Sequence, residues 1–180
     1  DTLNISDRFL DAKEDVFKEL IPDDASNLER YVRINNEVRI ANERKLLEIG
    51  KQTAPTMLWS GAFKRLPRSA SKASFGDQRT YMHNGVKIDE QTHMGQDLAS
   101  VAHAPVPAAN DGKVVFAEPL GIFGNLVIID HGLGLQSLYS HMSEIHTSVG
   151  ATVKKDDVIG LTGTTGLAGG DHLHFGILMH

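Results

Sequence analysis

The chain of 180 residues contains no cysteine, so disulfides, cysteine nucleophiles and thiolate-held zinc are all excluded. Any metal it binds must rest on histidine and carboxylate. No apolar run reaches the length that a bilayer-spanning helix needs. Positive charge is also scarce: 18 Lys and Arg stand against 23 Asp and Glu, a formal charge of −5. That balance argues against a nucleic-acid partner, which calls for a dense basic face. Disorder is excluded in turn, because 41% hydrophobic and 23% charged residues match an ordinary globular chain. The first residue is Asp1 rather than Met, which fits an exported chain whose signal or anchor lies outside this sequence.

The charge that is present is unevenly spread. Residues 1–50 carry 8 Lys and Arg against 12 Asp and Glu, residues 51–85 carry 6 against 1, and residues 86–180 carry 4 against 10. The middle stretch, with Lys64, Arg65, Arg68, Lys72 and Arg79, reads as a basic surface loop able to attract an anionic polymer or the acidic N-terminal third.

That N-terminal third reads as two helices, over residues 1–52. Ile5, Phe9, Val16 and Leu20 recur near one face, and Ile21-Pro22-Asp23-Asp24 marks a turn. Ser26 and Glu29 fit a capping box that opens a longer helix with the stripe Leu28, Tyr31, Val32, Val38, Ala41, Leu46 and Ile49, stopped at Gly50. The resulting hairpin holds no histidine. It is expected to fold back over the rest of the chain near, but outside, any metal site, or to dock a partner.

Residues 53–180 read as a β domain. The segment from Gln52 is short and turn-rich, and beyond Ala104 strands are expected at Pro105–Ala109 and Lys113–Ala117, joined as a hairpin by Asn110-Asp111-Gly112. Further strands are expected at 126–130, 135–142, 158–162 and 172–178, giving a mainly β fold with an N-terminal α-helical extension.

Three places among the nine histidines carry chemistry. His93 and Asp97 stand four apart around Gly95, which favours a turning backbone over a helix. His172 and His174 flank Leu173 in an apolar run, so on a strand both imidazoles share one face. His141 ends a strand after Tyr139-Ser140. His131 reads as a structural histidine, and His83, His103, His146 and His180 as surface or loop residues.

In this order, H-x-x-x-D, then S-H, then H-x-H resembles the signature of the lysostaphin/LytM-type zinc metallopeptidases. Phe75-Gly76-Asp77-Gln78-Arg79, Gly124-Asn125-Leu126-Val127-Ile128-Ile129-Asp130-His131-Gly132, Gly163-Thr164-Thr165-Gly166 and Gly170-Asp171-His172-Leu173-His174-Phe175 are similar to that family too. The likeness runs over about residues 59 to 178, and the family's usual segment beyond H-x-H is short here. The resemblance implies an antiparallel β-sheet domain with a zinc site in a groove. It further implies one zinc ion, Zn(2+), per chain on His93, Asp97 and His174, with His141 and His172 as catalytic residues. An open fourth position suits hydrolysis. The expected substrates are the stem or bridge peptides of bacterial peptidoglycan, cut as a D,D-endopeptidase in the cell envelope, specifically the periplasm. The N-terminal helices resemble extensions of Gram-negative envelope members and offer a surface for an envelope protein partner. A non-catalytic LytM-type activator of a cell-wall amidase is the alternative, though such modules typically lose ligands that are all present here.

Overall fold

The computed structural model describes all 180 residues. The chain opens with a short strand, β1 (Thr2–Asn4), then helices α1 (Asp7–Ala12), α2 (Glu14–Leu20) and α3 (Asn27–Arg33), a π-helical turn (Ile34–Val38) and α4 (Arg39–Gly50). Strands follow: β2 (Ala70–Ala73), β3 (Gln78–His83), β4 (Val86–Thr92), β5 (Gln96–Ala99), β6 (Pro105–Pro107) and β7 (Gly112–Pro119). After a 3₁₀ turn (Gly121–Phe123) come β8 (Asn125–Gly132), β9 (Leu135–Met142), β10 (Glu144–Ile145), β11 (Thr152–Val153), β12 (Val158–Leu161) and β13 (Leu173–Met179). No helix is long and apolar enough to cross a membrane.

The strands form a seven-stranded sheet in the order β11-β7-β8-β9-β13-β5-β2 and two three-stranded sheets, β1-β3-β4 and β10-β12-β6. The fold is mainly β, and every pairing is antiparallel except β1 with β3. One core fills the space beneath the large sheet with Leu98, Val106, Val127, Ile129, Tyr139, Met142 and Leu173. Its other face receives Leu46 and Ile49 of α4 against Phe116, Leu126, Ile128 and Leu138. A third cluster joins the helices to β3 through Phe9, Phe17, Tyr31 and Tyr81, whose rings lie 5.9 to 6.4 Å apart. Edge-to-face pairs of this kind add roughly 0.5–1.5 kcal/mol each beyond the area they bury.

The capping box forms: the Glu29 amide donates to Ser26 Oγ at 3.3 Å, and the Ser26 amide donates to Glu29 Oε2 at 2.8 Å. Elsewhere the helical reading needs correction. The first helix is not continuous, because Lys13 adopts φ −107°, ψ 5° and separates α1 from α2. Ala41 is exposed, whereas Asn42 is buried. The Asn42 carbonyl oxygen accepts from the Ile122 amide at 2.9 Å, so a hydrogen bond rather than a methyl group docks that turn of α4.

Three β expectations also change. The turn-rich stretch contains β2, β3 and β4, and the first residues of the chain add β1 to β3. The segments around Asn110 do not form a hairpin, since β6 pairs with β12 and β7 with β8 and β11. Fully buried Asn110 explains this. Its carbonyl accepts from the amides of Ser60 and Asp111, and its amide nitrogen donates to Ser60 O, so it fastens a distant loop instead of closing a two-strand turn. Finally, no lysine or arginine of the basic stretch pairs with the acidic helices, and only His83 approaches one of their carboxylates, Asp7, at 3.6 Å. Asp23 pairs with Arg33 and Glu14 with Lys18, while Lys64 pairs with Asp156 and Arg79 with Asp97. Apolar contact and a few hydrogen bonds, such as that of Asn42 to the Ile122 amide, dock the helices.

Candidate active site

Register places the central groups. In the large sheet β13 lies between β5 and β9, with His174 opposite Asp97 on one side and Ser140 on the other. His93 arrives from the connection between β4 and β5, which turns sharply at Met94-Gly95. Glycine is required there, because a Cβ on Gly95 would meet the His174 ring at 2.5 Å. His172 sits two residues before His174 and bridges to Gly163, so both imidazoles reach Asp97. Strict alternation would send His141 to the face opposite Ser140. Its left-handed φ of 63° breaks that alternation and brings its ring centroid to 4.9 Å from His172 and 5.9 Å from His174. A non-glycine residue held there costs of order 1–3 kcal/mol, a strain typical of functional sites.

Three acceptor atoms converge. His93 Nε2 and His174 Nδ1 lie 3.0 Å apart, and Asp97 Oδ1 lies 3.0 Å from the first and 2.8 Å from the second. All three side chains are buried. The tautomers follow from the backbone. His93 Nδ1 faces the Ser74 carbonyl at 2.8 Å and donates to it, which leaves a lone pair on Nε2 aimed at a carboxylate oxygen. Lone pairs facing one another in a buried pocket call for a cation between them. The donor set of two imidazoles and a carboxylate, with no thiolate, fits zinc.

His141 and His172 are tethered in the same manner. His141 Nδ1 donates to Thr165 O at 2.9 Å and His172 Nδ1 to Gly170 O at 2.8 Å, which leaves the His141 Nε2 as a free base, while the His172 Nε2 lies 3.5 Å from Asp97 Oδ1. Burial works to raise the Asp97 carboxyl, yet the His172, His174 and His93 imidazoles around it, each favouring a charged carboxylate, outweigh burial and hold that group far below the usual range. Burial pushes His141 well down, helped by repulsion from His174 and His172, and it lowers His174 as well. For His172 burial pulls down, but the Asp97 carboxylate and the Gly170 carbonyl win and raise it.

A profile for peptidase family M23 matches residues 91–180, half of the chain and all five of these side chains. The chain belongs to peptidase family M23. It is 40% identical over 83 residues to the DD-carboxypeptidase/endopeptidase Mpg of Neisseria meningitidis, covering 46% of this chain and 19% of that protein. Among solved structures it is similar to a putative peptidase M23 from Pseudomonas aeruginosa, with TM-score 0.64, 26% identity, and coverage of 80% of this chain and 58% of the other. The catalytic domain of lysostaphin from Staphylococcus simulans superposes with TM-score 0.51 at 30% identity, covering 61% and 80% of the two chains. The chain spans about a fifth of the length of the curated relatives it matches.

The M23 site contains one charged side chain that sequence reasoning placed elsewhere. Arg79, read as part of a basic surface, donates from Nη2 to Asp97 Oδ2 at 2.7 Å and is mostly buried. Its place directly after the Phe75-Gly76-Asp77-Gln78 segment was the available signal. The carbonyls of Ser74, Thr165 and Gly170 were invisible, because a backbone acceptor has no residue type. Of the remaining histidines, buried His131 bonds Asp111 O and Ser137 Oγ, His83 on β3 bonds Ile5 O, and His180 lines the groove outside the cluster. A groove of about 1030 Å³ runs from the five M23 side chains along α3, the π turn and α4.

Proposed function

We propose that this chain is a zinc metalloendopeptidase of the cell envelope that hydrolyses peptide cross-links of bacterial peptidoglycan, with D,D-bonds as its substrates. The observation that carries the reading is the pair of tethered imidazoles beside the ligand set. A structural metal site needs three or four donors and no more, whereas His141 and His172 add two oriented bases at its open side. The similarity to the DD-carboxypeptidase/endopeptidase of Neisseria meningitidis supports the D,D-bond.

In this reading His93, Asp97 and His174 hold one zinc ion. Zinc bound there supplies Lewis acidity toward the peptide carbonyl and makes water a nucleophile near neutral pH. The protein's own groups do the rest. Arg79 occupies the second Asp97 oxygen, fixing the carboxylate so that Oδ1 faces the two ligand histidines. An unprotonated Nε2 on His141 or His172 accepts the proton of the attacking water and returns it to the leaving amine, while the other imidazole, protonated at Nε2, donates to the oxyanion.

Digestion of purified sacculi with directly cross-linked or glycine-bridged walls, with mass spectrometry of released muropeptides and a chelator control, tests the proposal. Chelator-sensitive release of D,D-cleaved monomers is expected. Zinc-loaded protein that releases nothing yet stimulates a cell-wall amidase would make the chain an activator instead.

A further inference from the structure

The groove is far larger than the metal-ligand cluster requires, and its second wall is helical. On that wall the π turn buries Asn35, which is 1% exposed. Its amide nitrogen donates to Asp89 Oδ2 at 2.5 Å, and the same oxygen accepts from Asn36 at 3.1 Å and Gln91 at 3.3 Å. With its amide group so fixed, Asn35 becomes a rigid acceptor for the next turn. Arg39 Nε donates to the Asn35 backbone carbonyl at 3.0 Å, and Arg39 Nη2 donates to its side-chain oxygen at 2.5 Å.

Those are the only polar partners Arg39 has in the protein. Its guanidinium is therefore oriented by neutral oxygens and paired with no carboxylate, although it lines the groove and retains unused N–H donors. Glu43, one turn on, lines the groove too, but is exposed and makes no ion pair with Arg39. Tyr31, 3% exposed, lines the same groove, and its phenol hydroxyl forms no hydrogen bond in the protein. Burial, with the neighbouring Tyr81, keeps that phenol protonated at any working pH, so it remains a donor. A preoriented fork that makes no ion pair, in one groove with an unpartnered hydroxyl, matches the needs of a carboxylate. The π turn that aims it is itself a device found mostly at functional sites.

We propose that Arg39 and Tyr31 form a carboxylate-binding subsite on the helical wall, which takes a free carboxylate that the stem peptide carries outside the bond to be cut. This rests on the reading of the groove as a peptidase cleft. The subsite makes the N-terminal helices part of substrate selection.

The test compares a cross-linked muropeptide with its analogue in which the free carboxylates are amidated. Binding is measured by calorimetry on the zinc-loaded full chain carrying His141→Ala, and hydrolysis on the unsubstituted chain. The free acid should bind about 10- to 100-fold more tightly, the usual strength of a charge-assisted hydrogen-bonded pair. Arg39→Gln should abolish that preference while zinc content stays constant, and Tyr31→Phe should narrow it. Equal binding of acid and amide by the chain that retains Arg39 overturns the subsite without recourse to any wall variant, as does an Arg39→Gln variant that weakens both ligands alike. Selective binding without hydrolysis would sink the peptidase reading and keep the subsite, and hydrolysis without selectivity would do the reverse.

Discussion

The two walls of the groove are built on different principles. On the sheet wall, Asp97, His174 and Ser140 lie in one row across three neighbouring strands, so strand register alone aligns two of the convergent donors. On the helical wall, Tyr31, Asn35 and Arg39 are aligned by a π turn and by the distant carboxylate of Asp89 on β4. The first wall concentrates reactive groups that only a cation reconciles. On the second, Arg39 makes no ion pair. If the proposed roles hold, chemistry belongs to the first wall and selection to the second, and substitutions should separate the two.

The largest effect is expected from Asp97→Ala. Removing the oxygen shared by His93 and His174 should drop zinc from about one per chain to near zero after mild chelation, and activity with it. Elemental analysis reads the result. Equal zinc in variant and parent would show that the sheet wall holds no metal through Asp97. Acid should have the same effect: burial lowers His174, so its neutral, ligating form persists to lower pH than that of a free imidazole. Zinc retention should therefore be flat from about pH 8 to 6 and fall below that.

Next come His141→Ala and His172→Ala, which should keep zinc and lose roughly 10²- to 10⁴-fold in kcat, the range for a positioned acid or base. The depressed His141 also fixes a sign. If it is the base, it is neutral until the pH drops well under the free-imidazole value of about 6.5, so the acid limb of kcat/KM should lie below that value. An acid limb at or above it in the parent chain would assign the role to His172. Full activity in both variants would remove acid–base catalysis from the sheet wall.

What could be read from the sequence follows the same division. His172 and His174 were legible because strand alternation is local, and the capping box was legible because its two residues satisfy each other. The break at Lys13, the burial of Asn42 and the role of Arg79 were not, since each depends on a partner at least 18 residues away. The Asn110 turn was misread for the same reason: its side chain serves Ser60, fifty residues earlier. A periodicity can show which face is apolar, but not which polar side chain has been recruited across the fold.

A smaller loss is expected from Arg79→Ala, about 10- to 100-fold in zinc affinity or activity, as for other groups that orient a metal ligand. The Asp97 carboxylate would lose its fixed rotation. Arg79→Lys should recover part of the loss, because the charge returns without the fork. Metal titration of both variants against a competing chelator makes the comparison. Unchanged affinity in Arg79→Ala would return that residue to the basic surface where sequence reasoning first put it.

The smallest effect crosses from one wall to the other. Lys13, at the break between α1 and α2, donates from Nζ to Thr164 O at 2.5 Å and to Gly166 O at 2.9 Å. Between those carbonyls lies Thr165, whose own carbonyl receives His141 Nδ1–H. A lysine from the helices thus braces the loop that fixes the tautomer of His141. Burial lowers its ammonium, and only carbonyls, with no carboxylate, compensate it, so its placement is otherwise unfavourable. The brace is not alone, since Thr165 Oγ1 donates to Met142 O at 2.9 Å and the Leu167 amide donates to Ile122 O at 3.0 Å. Lys13→Met should therefore loosen the loop without dissolving it, lowering kcat on the order of 3- to 10-fold with zinc content and KM unchanged. Lys13→Arg should restore most of the rate. A rise in KM with kcat intact would instead tie Lys13 to substrate binding, and a fully active Lys13→Met would show that the loop holds His141 unaided and that the helical wall acts on the substrate alone.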